Sequence, residues 1–369
     1  MIRTAAGATV YRVTFVSGCA ARRWAAGAVF LLVFLGSAAG ARAASSTLDV
    51  GDQAVVQVWA RGQSDVTIRT WDRPAVQIES EDDQSQITRR TVAFGTSQNP
   101  MSATIPVTTV RVRDAQGSTT TATLPPEDFP YAPDMRTGNH DVIRVAAPAG
   151  STLTVTVPAT TAILDARILG SGRLSIANYH GGTLFVLSGG GRTNLENVQT
   201  AAFVQALNGR LTAVDSSFDR LRARGNTIAM VFERCRAKQI EVTTLSGPIV
   251  YDNGTFDGGL ARFDSITGVV AVGLAGPAQV AARSQSGRVL GLWDRRPQIE
   301  QGSEGEATAT VGAGGPLVTA VSARGNVFLY DGSLASRRKV PLAWRQLHNA
   351  FSSNRALRPA QAAPLRRFD

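Results

Sequence analysis

From Thr47 to Pro158 the chain alternates apolar and polar residues in short runs, the period-two pattern of strands with one face buried. Val55–Trp59, Val66–Trp71, Val76–Ile78 and Thr108–Val112 are such runs, and Asp141–Val157 predicts two more strands. Residues 114–140, in between, are polar and rich in Gly, Thr and Pro. A connection that long inside a compact domain is expected to be functional or mobile.

After Pro158 the pattern becomes a repeat. Its unit is a small or polar residue, a glycine, one further residue, then two apolar residues separated by one, as in Ser171-Gly172-Arg173-Leu174-Ser175-Ile176. It recurs at Gly209, Gly247, Gly268, Gly287 and Gly325, with weaker copies at Gly191, Gly225 and Gly305. These nine glycines are spaced by 19, 18, 16, 22, 21, 19, 18 and 20 residues, about 19 on average. One such unit cannot bury its own apolar face, but stacked units share a core and pair their backbones. The predicted fold is all-β: a β-solenoid with coils of about 19 residues, each glycine supplying positive φ at a corner. A β-sandwich or meander also turns regularly, but every second turn would then have to carry the glycine. Residues 44–158 are expected to be continuous with the solenoid and to cover one end, residues 159–332 to form the repeats, and residues 333–369 to form a tail.

Charge sharpens this division. The formal net charge of +10 suggests a nucleic-acid partner until its distribution is read. Residues 1–43 hold five arginines and no acid, and residues 333–369 hold a surplus of seven positive charges, which leaves −2 for residues 44–332. A nearly neutral body offers no basic groove, so no nucleic acid is expected on it. In the leader, Arg22-Arg23, an apolar stretch from Trp24 to Leu35 and Ala41-Arg42-Ala43 follow the order of a secretory signal peptide, with cleavage after Ala43 or Ala41. The apolar stretch is short for a membrane span. Val16-Ser17-Gly18-Cys19 also reads as a lipoprotein box and Arg22-Arg23 as a twin-arginine signal, though Arg12 and the flanking residues fit these poorly. The expected product is exported, periplasmic or at the cell surface. In the tail, Pro341–Phe351 predicts a short helix with Leu347 and Phe351 on one face, behind Arg337, Arg338 and Lys339. That tail is expected to cap the fold or to contact anionic lipid or an envelope polymer.

Candidate chemistry is sparse. Asp215, Asp219, Asp252, Asp257 and Asp264 fall in the central repeats, and Asp252 and Asp294 follow the aromatic residues Tyr251 and Trp293. Glu233 and Asp252 are one coil apart, so stacking would bring them together as the paired carboxylates of glycan hydrolysis. Aspartate beside glycine or asparagine is also ordinary turn composition. His140, His180 and His348 are scattered without metal-ligand spacing, Tyr179-His180 reads as a turn pair, and Gly189-Gly190-Gly191 reads as a corner. Cys235 is expected to be a buried small residue, with Arg234 and Arg236 on the opposite face. No catalytic, cofactor-binding or metal-binding residue is assigned, and no cofactor is expected.

The runs Asp65-Val66-Thr67-Ile68, Asp141-Val142-Ile143-Arg144-Val145 and Leu153-Thr154-Val155-Thr156-Val157-Pro158 resemble the bacterial putative-adhesin domains of the head-GIN type. So do the strands led by Ser246-Gly247, Ser286-Gly287 and Arg324-Gly325. The resemblance covers most of residues 50–332 and implies an exported or membrane-tethered β-solenoid without assigned activity. It carries no catalytic residue across, and the basic tail departs from its usual pattern. The expectation is an adhesin-like structural or binding module of the cell envelope, with an envelope polysaccharide or a surface protein as partner. A polysaccharide lyase or hydrolase on the same scaffold, and peripheral membrane association through the tail, are the alternatives.

Overall fold

The computed structural model describes residues 44–81, 85–94, 110–113, 119–122, 138–292, 298–301, 305–311 and 313–331. All of them belong to the unit Ala43–Asp369. The signal segment with Cys19, most of the 114–140 connection, Trp293, Asp294, the tail helix and His348 lie outside the described residues. All regular structure among the described residues is β-strand. In chain order the strands are β1 (Ala44–Asp49), β2 (Val55–Arg61), β3 (Asp65–Trp71), β4 (Ala75–Ser80), β5 (Gln86–Phe94), β6 (Val110–Arg113), β7 (Thr119–Ala122), β8 (Gly138–Ala149) and β9 (Thr152–Pro158). The middle of the chain forms β10 (Ile163–Leu169), β11 (Arg173–Ala177), β12 (Thr183–Ser188), β13 (Arg192–Glu196), β14 (Gln199–Val214), β15 (Ser217–Glu233), β16 (Arg236–Ser246), β17 (Ile249–Phe256), β18 (Leu260–Ser265) and β19 (Val270–Leu274). The last are β20 (Ala278–Ser284), β21 (Val289–Leu292), β22 (Gln298–Gln301), β23 (Glu306–Val311), β24 (Leu317–Ser322) and β25 (Val327–Tyr330). β6 and β7 make a separate hairpin, and the other strands join one large sheet.

The pairing follows the repeat. In a first ladder Ile163 pairs Thr183, Leu184 pairs Ala202, Ala202 pairs Leu221, Leu221 pairs Ile240 and Ile240 pairs Ala261, all parallel. In a second, Arg173 pairs Arg192, Arg192 pairs Arg210, Arg210 pairs Ala229, and Met230, Ile249 and Val270 continue it. A short third ladder links Gln199, Ser217, Arg236 and Thr255. Through the middle of the chain successive repeats thus add one strand to each of the first two ladders, and the third ladder joins four of them. Alternation then sorts the side chains: Leu164, Leu184, Ala202, Leu221 and Ile240 all turn into one shared core. The sequence supplies Leu, Ile and Val where two faces meet, and each such buried side chain contributes about 1.5–3 kcal/mol. Toward the C-terminal rungs aromatic rings fill the same space, Tyr251 stacking on Phe256 at 4.8 Å and lying 5.3 Å from Phe263.

Two columns of residues turn the chain between ladders. One is Ser64, Gly172, Gly191, Gly209, Ile228, Gly247 and Gly268, in which a Cβ on Gly191 would lie 2.0 Å from the Gly172 carbonyl oxygen and one on Gly209 2.1 Å from that of Gly191. Close approach of the neighbouring rung, more than positive φ, demands glycine here. Of the nine glycines of the repeat only Gly191, Gly209, Gly247 and Gly305 have positive φ. Gly225 is not in this column. It sits in the first ladder opposite Thr244, and Ile228 takes the corner opposite Gly209, which removes the irregular spacings of 16 and 22. The second column was not anticipated. Asn178, Asn197, Asp215, Arg234 and Asn253 have φ of 56, 51, 52, 53 and 52°. Asparagine and aspartate tolerate that region best among side-chain-bearing residues. Each N–H of the first four donates to a carbonyl of the adjacent rung, as Asn197 does to Val214 at 3.1 Å.

Rung order departs from chain order at both ends. β2 lies between β8 and β10, and β3 between β9 and β11. At the other end β24 lies between β18 and β20, and β25 between β19 and β21. Gly325 therefore stacks on Gly268, and Gly287 stacks on Gly325. The expectation of consecutive rungs at Gly268, Gly287, Gly305 and Gly325 is corrected accordingly. Gly305 instead leads β23, which is antiparallel to β20. Antiparallel strands also flank the outer rungs: β5 on β8, β4 on β9 with β1 beyond it, and β22 on β23.

Candidate functional site

Where the short third ladder meets the first, the rungs leave a groove of about 700 Å³. Paired glycines line it toward both ends, Gly181-Gly182 and Gly258-Gly259. A side chain at Gly182 would put Cβ 2.1 Å from the Ala162 carbonyl oxygen, so tight stacking requires glycine at that position. From Thr161 to Asp257 the groove crosses successive rungs, a run of about 24 Å at the spacing of paired strands. Its walls carry Gln199, Asp219, Arg220, Lys238, Gln239 and Asp257. Neighbouring rungs hold these in pairs: Lys238 Nζ lies 2.6 Å from Asp219, and Arg220 Nε donates to Gln239 Oε1 at 3.1 Å. Arg236, next to the groove, pairs with Asp257 at 2.6 Å. Hydrogen bonding to those carboxylates, first, and their charge hold the Lys238 and Arg236 cations above their ordinary pKa. Phe203 is the aromatic of the lining, stacked on Phe185 with ring centroids 5.5 Å apart.

Beside it, the outward face of the first ladder carries a buried polar network. Arg167 Nε donates to both Asp165 oxygens at 2.8 and 3.0 Å, and both residues are almost fully enclosed. Arg144 donates to Gln57, whose amide donates to Asp165 at 3.4 Å. The Trp59 ring lies between two guanidinium groups, 4.1 Å from Arg144 and 5.0 Å from Arg167. A buried ion pair costs desolvation, and the extra hydrogen bonds and the ring offset part of it.

The carboxylates singled out in the sequence are dispersed. Asp219 and Asp257 line the groove. Asp215 accepts two hydrogen bonds from Arg234 at 2.6 and 2.8 Å, and Asp264 is paired with Arg262. Hydrogen bonding to Asp215, then the charges of Glu233 and Asp215, raise the Arg234 pKa against the opposing effect of burial. Glu233 and Asp252 are register partners, as their spacing predicts. However, Asp252 is 1% exposed and accepts from the Tyr330 hydroxyl at 3.0 Å, and Glu233 is ion-paired to Arg234. Neither lines the groove. His140 is buried in β8 and His180 is exposed at the turn after Tyr179. Among the described residues no group of three or more His, Cys, Asp or Glu could hold a metal ion. Cys235 is 2% exposed, and burial, first, pushes its thiol up to about 12. Tyr179, expected in a turn, has its ring wholly inside, and burial alone raises its pKa. Lys238 and Gln239 look like ordinary polar positions of a strand and the paired glycines like ordinary turn composition, so neither carries a signal in the sequence.

No family model matches the chain, and no curated protein matches it. A solved structure of a putative cell adhesion protein from Clostridium sporogenes is 7% identical, the match covering 78% of this chain and 99% of that one at a TM-score of 0.24. So low a TM-score carries no argument about fold or function. Among the described residues no helix is long and apolar enough to cross a membrane.

Proposed function

We propose that this chain is an exported β-solenoid of the bacterial cell envelope, of the adhesin-like kind the head-GIN resemblance implies, that binds an extended polysaccharide without cleaving it. The rungs are then three-sided coils, and the antiparallel strands β1, β4 and β5 at one end, β22 and β23 at the other, protect edges that would otherwise pair with foreign strands. The observation that carries the reading is the groove. Its volume lies within the usual range for ligand sites, and it runs across the rungs, so amide, carboxylate, guanidinium and ammonium groups of Gln199, Asp219, Arg220, Lys238, Gln239 and Asp257 are spread over successive steps along a long ligand. A repeated array of modest contacts gains affinity from their number. The dispersal of the central carboxylates favours binding over a lyase or hydrolase. Export rests on the leader, and an anionic-lipid role for the tail is the remaining alternative.

A screen of envelope glycans with purified residues 44–369 tests this, with the Asp219→Ala/Lys238→Ala double variant alongside. Saturable binding that weakens about tenfold, or about 1.4 kcal/mol, in the variant, at an unchanged unfolding midpoint, supports the proposal. Depolymerisation of a glycan, or equal binding by both proteins, contradicts it.

A further inference from the structure

The groove changes character along its length. Gln53, Thr160, Thr161, Thr183, Gln199 and Thr200 supply the polar side chains of its first rungs, and all of them are neutral. Ionised groups begin at Asp219 and continue through Arg220 and Lys238 to Asp257. A chain-like ligand lying across the rungs meets hydroxyls and amides first and charges afterwards.

Within the charged part, each carboxylate has its own cation. Lys238 Nζ lies 2.6 Å from Asp219, and Arg236 Nε lies 2.6 Å from Asp257. Arg220 differs. It is exposed, and its Nε donates to the neutral amide oxygen of Gln239 at 3.1 Å. Among the described residues no ion pair involves it. Engaging Nε fixes one side of the guanidinium and leaves its terminal nitrogens as a fork, the shape that grips a carboxylate through two parallel hydrogen bonds. The Gln239 amide accepts through its oxygen, so its nitrogen is a further donor alongside. The acids restrict how much negative charge a ligand can bring. Asp219 precedes Arg220 on the same rung, and Asp257 follows two rungs on, where its N–H donates to the Ala237 carbonyl at 3.0 Å. A ligand with a carboxylate on every sugar would set several of them against these two, and like charges repel.

We propose that the groove selects a sparsely acidic polysaccharide, holding one carboxylate on Arg220 and neutral sugars along the threonine and glutamine rungs. The assignment rests on the groove being a polysaccharide site, and it makes Arg220 the residue that reads charge.

Polygalacturonate with none, part or all of its carboxylates methyl-esterified tests this, because the sugar backbone stays constant while its charge changes. Purified residues 44–369 are expected to bind the partly esterified polymer most tightly. Arg220→Gln is expected to weaken that binding about fivefold, and Arg220→Lys, which keeps the charge without the fork, to recover part of the loss. Unfolding midpoints stay unchanged, and the difference between wild type and Arg220→Gln closes in about 1 M salt. Tightest binding to the fully esterified polymer, or equal binding by Arg220→Gln, overturns the assignment. If that binding still falls in Asp219→Ala/Lys238→Ala, the groove remains a polysaccharide site, and if it does not, both readings fail. Tightest binding to the unesterified polymer overturns the assignment in favour of a dense polyanion, and so does an absence of binding to all three forms, which leaves the groove itself to the glycan screen.

Discussion

Replacing Gly268 by alanine isolates the reason for glycine in the corner column. Its φ lies outside the left-handed region, so an alanine there has no intrinsic backbone strain. The added Cβ would stand 1.8 Å from the Gly247 carbonyl oxygen, 2.4 Å from its carbon and 2.7 Å from Ser265 Oγ, where real Cβ contacts keep beyond 3.0 Å. The obstacle is mostly backbone, so the rung must move by more than an ångström. That displacement works against the bonds on either side, Ile249 N–H to Val269 at 2.9 Å and Val270 N–H to Asn326 at 3.1 Å. Overpacking costs about 1–3 kcal/mol, and each ladder bond lost adds about 1 kcal/mol. A loss of about 3 kcal/mol or more is expected. Two controls separate sterics from backbone strain. At Gly276 the nearest atom to an added Cβ is Thr255 Cγ2 at 3.6 Å, ordinary contact, and alanine is expected to be neutral or to stabilise by about 0.4–1 kcal/mol. At Gly150 there is open space but φ is +83°, and alanine is expected to cost about 1–2 kcal/mol. Urea unfolding followed by far-ultraviolet circular dichroism, with common slopes, gives all three. A Gly268→Ala midpoint equal to that of Gly276→Ala would refute the close-approach argument.

Other consequences concern the second corner column and the buried groups. Asn197→Val places a β-branched residue at φ 51° and removes the amide bond to Asn178, and a loss of about 2 kcal/mol is expected in the same urea assay. Tyr251 donates to the Cys235 and Thr255 carbonyls at 2.8 and 3.1 Å, whereas the enclosed Tyr179 hydroxyl has no hydrogen-bond partner among the described residues. Tyr251→Phe is therefore expected to destabilise by about 1–2 kcal/mol and Tyr179→Phe to be neutral or stabilising. The Cys235 thiol, ordinarily at 9.0, stays protonated in the folded chain up to about 12, so the unfolded chain releases its proton first. Stability is then lost as pH rises above the unfolded value toward about 12. Unfolding midpoints against pH are expected to show less of that alkaline decline in Cys235→Ala, and a thiol reagent is expected to modify Cys235 only as fast as the chain opens.

The period was legible because stacking places like on like, so Leu164, Leu184, Leu221 and Ile240 repeat at the spacing of the rungs. The glycines were legible too, but for a different reason than supposed: a glycine at a corner and a glycine beneath a neighbour's carbonyl look the same in a sequence. Gly225 was read as a corner because it stands near the right spacing, while Ile228 holds the position. In the second column Asn178, Asn197, Asp215 and Asn253 resemble any turn, and Arg234 carries no turn signal at all. Rung order could not be read, since Ala261 pairs Val318 with the same parallel geometry that Ile240 uses to pair Ala261. Of the groove, Asp219 and Asp257 had drawn attention as candidate acids, but their shared surface exists only once the rungs are stacked.

In this fold β24 separates β18 from β20 within one ladder. Nitroxide labels at Arg262 and Thr319, and at Arg262 and Ala281, measure this directly, because the three positions are exposed or half-buried on successive strands of one ladder. Spin–spin broadening in solution is predicted to be stronger for the 262/319 pair, one ladder step of about 4.8 Å apart, than for the 262/281 pair at two steps. The reverse order, with 281 nearer than 319, would contradict the account and restore rungs stacked in chain order.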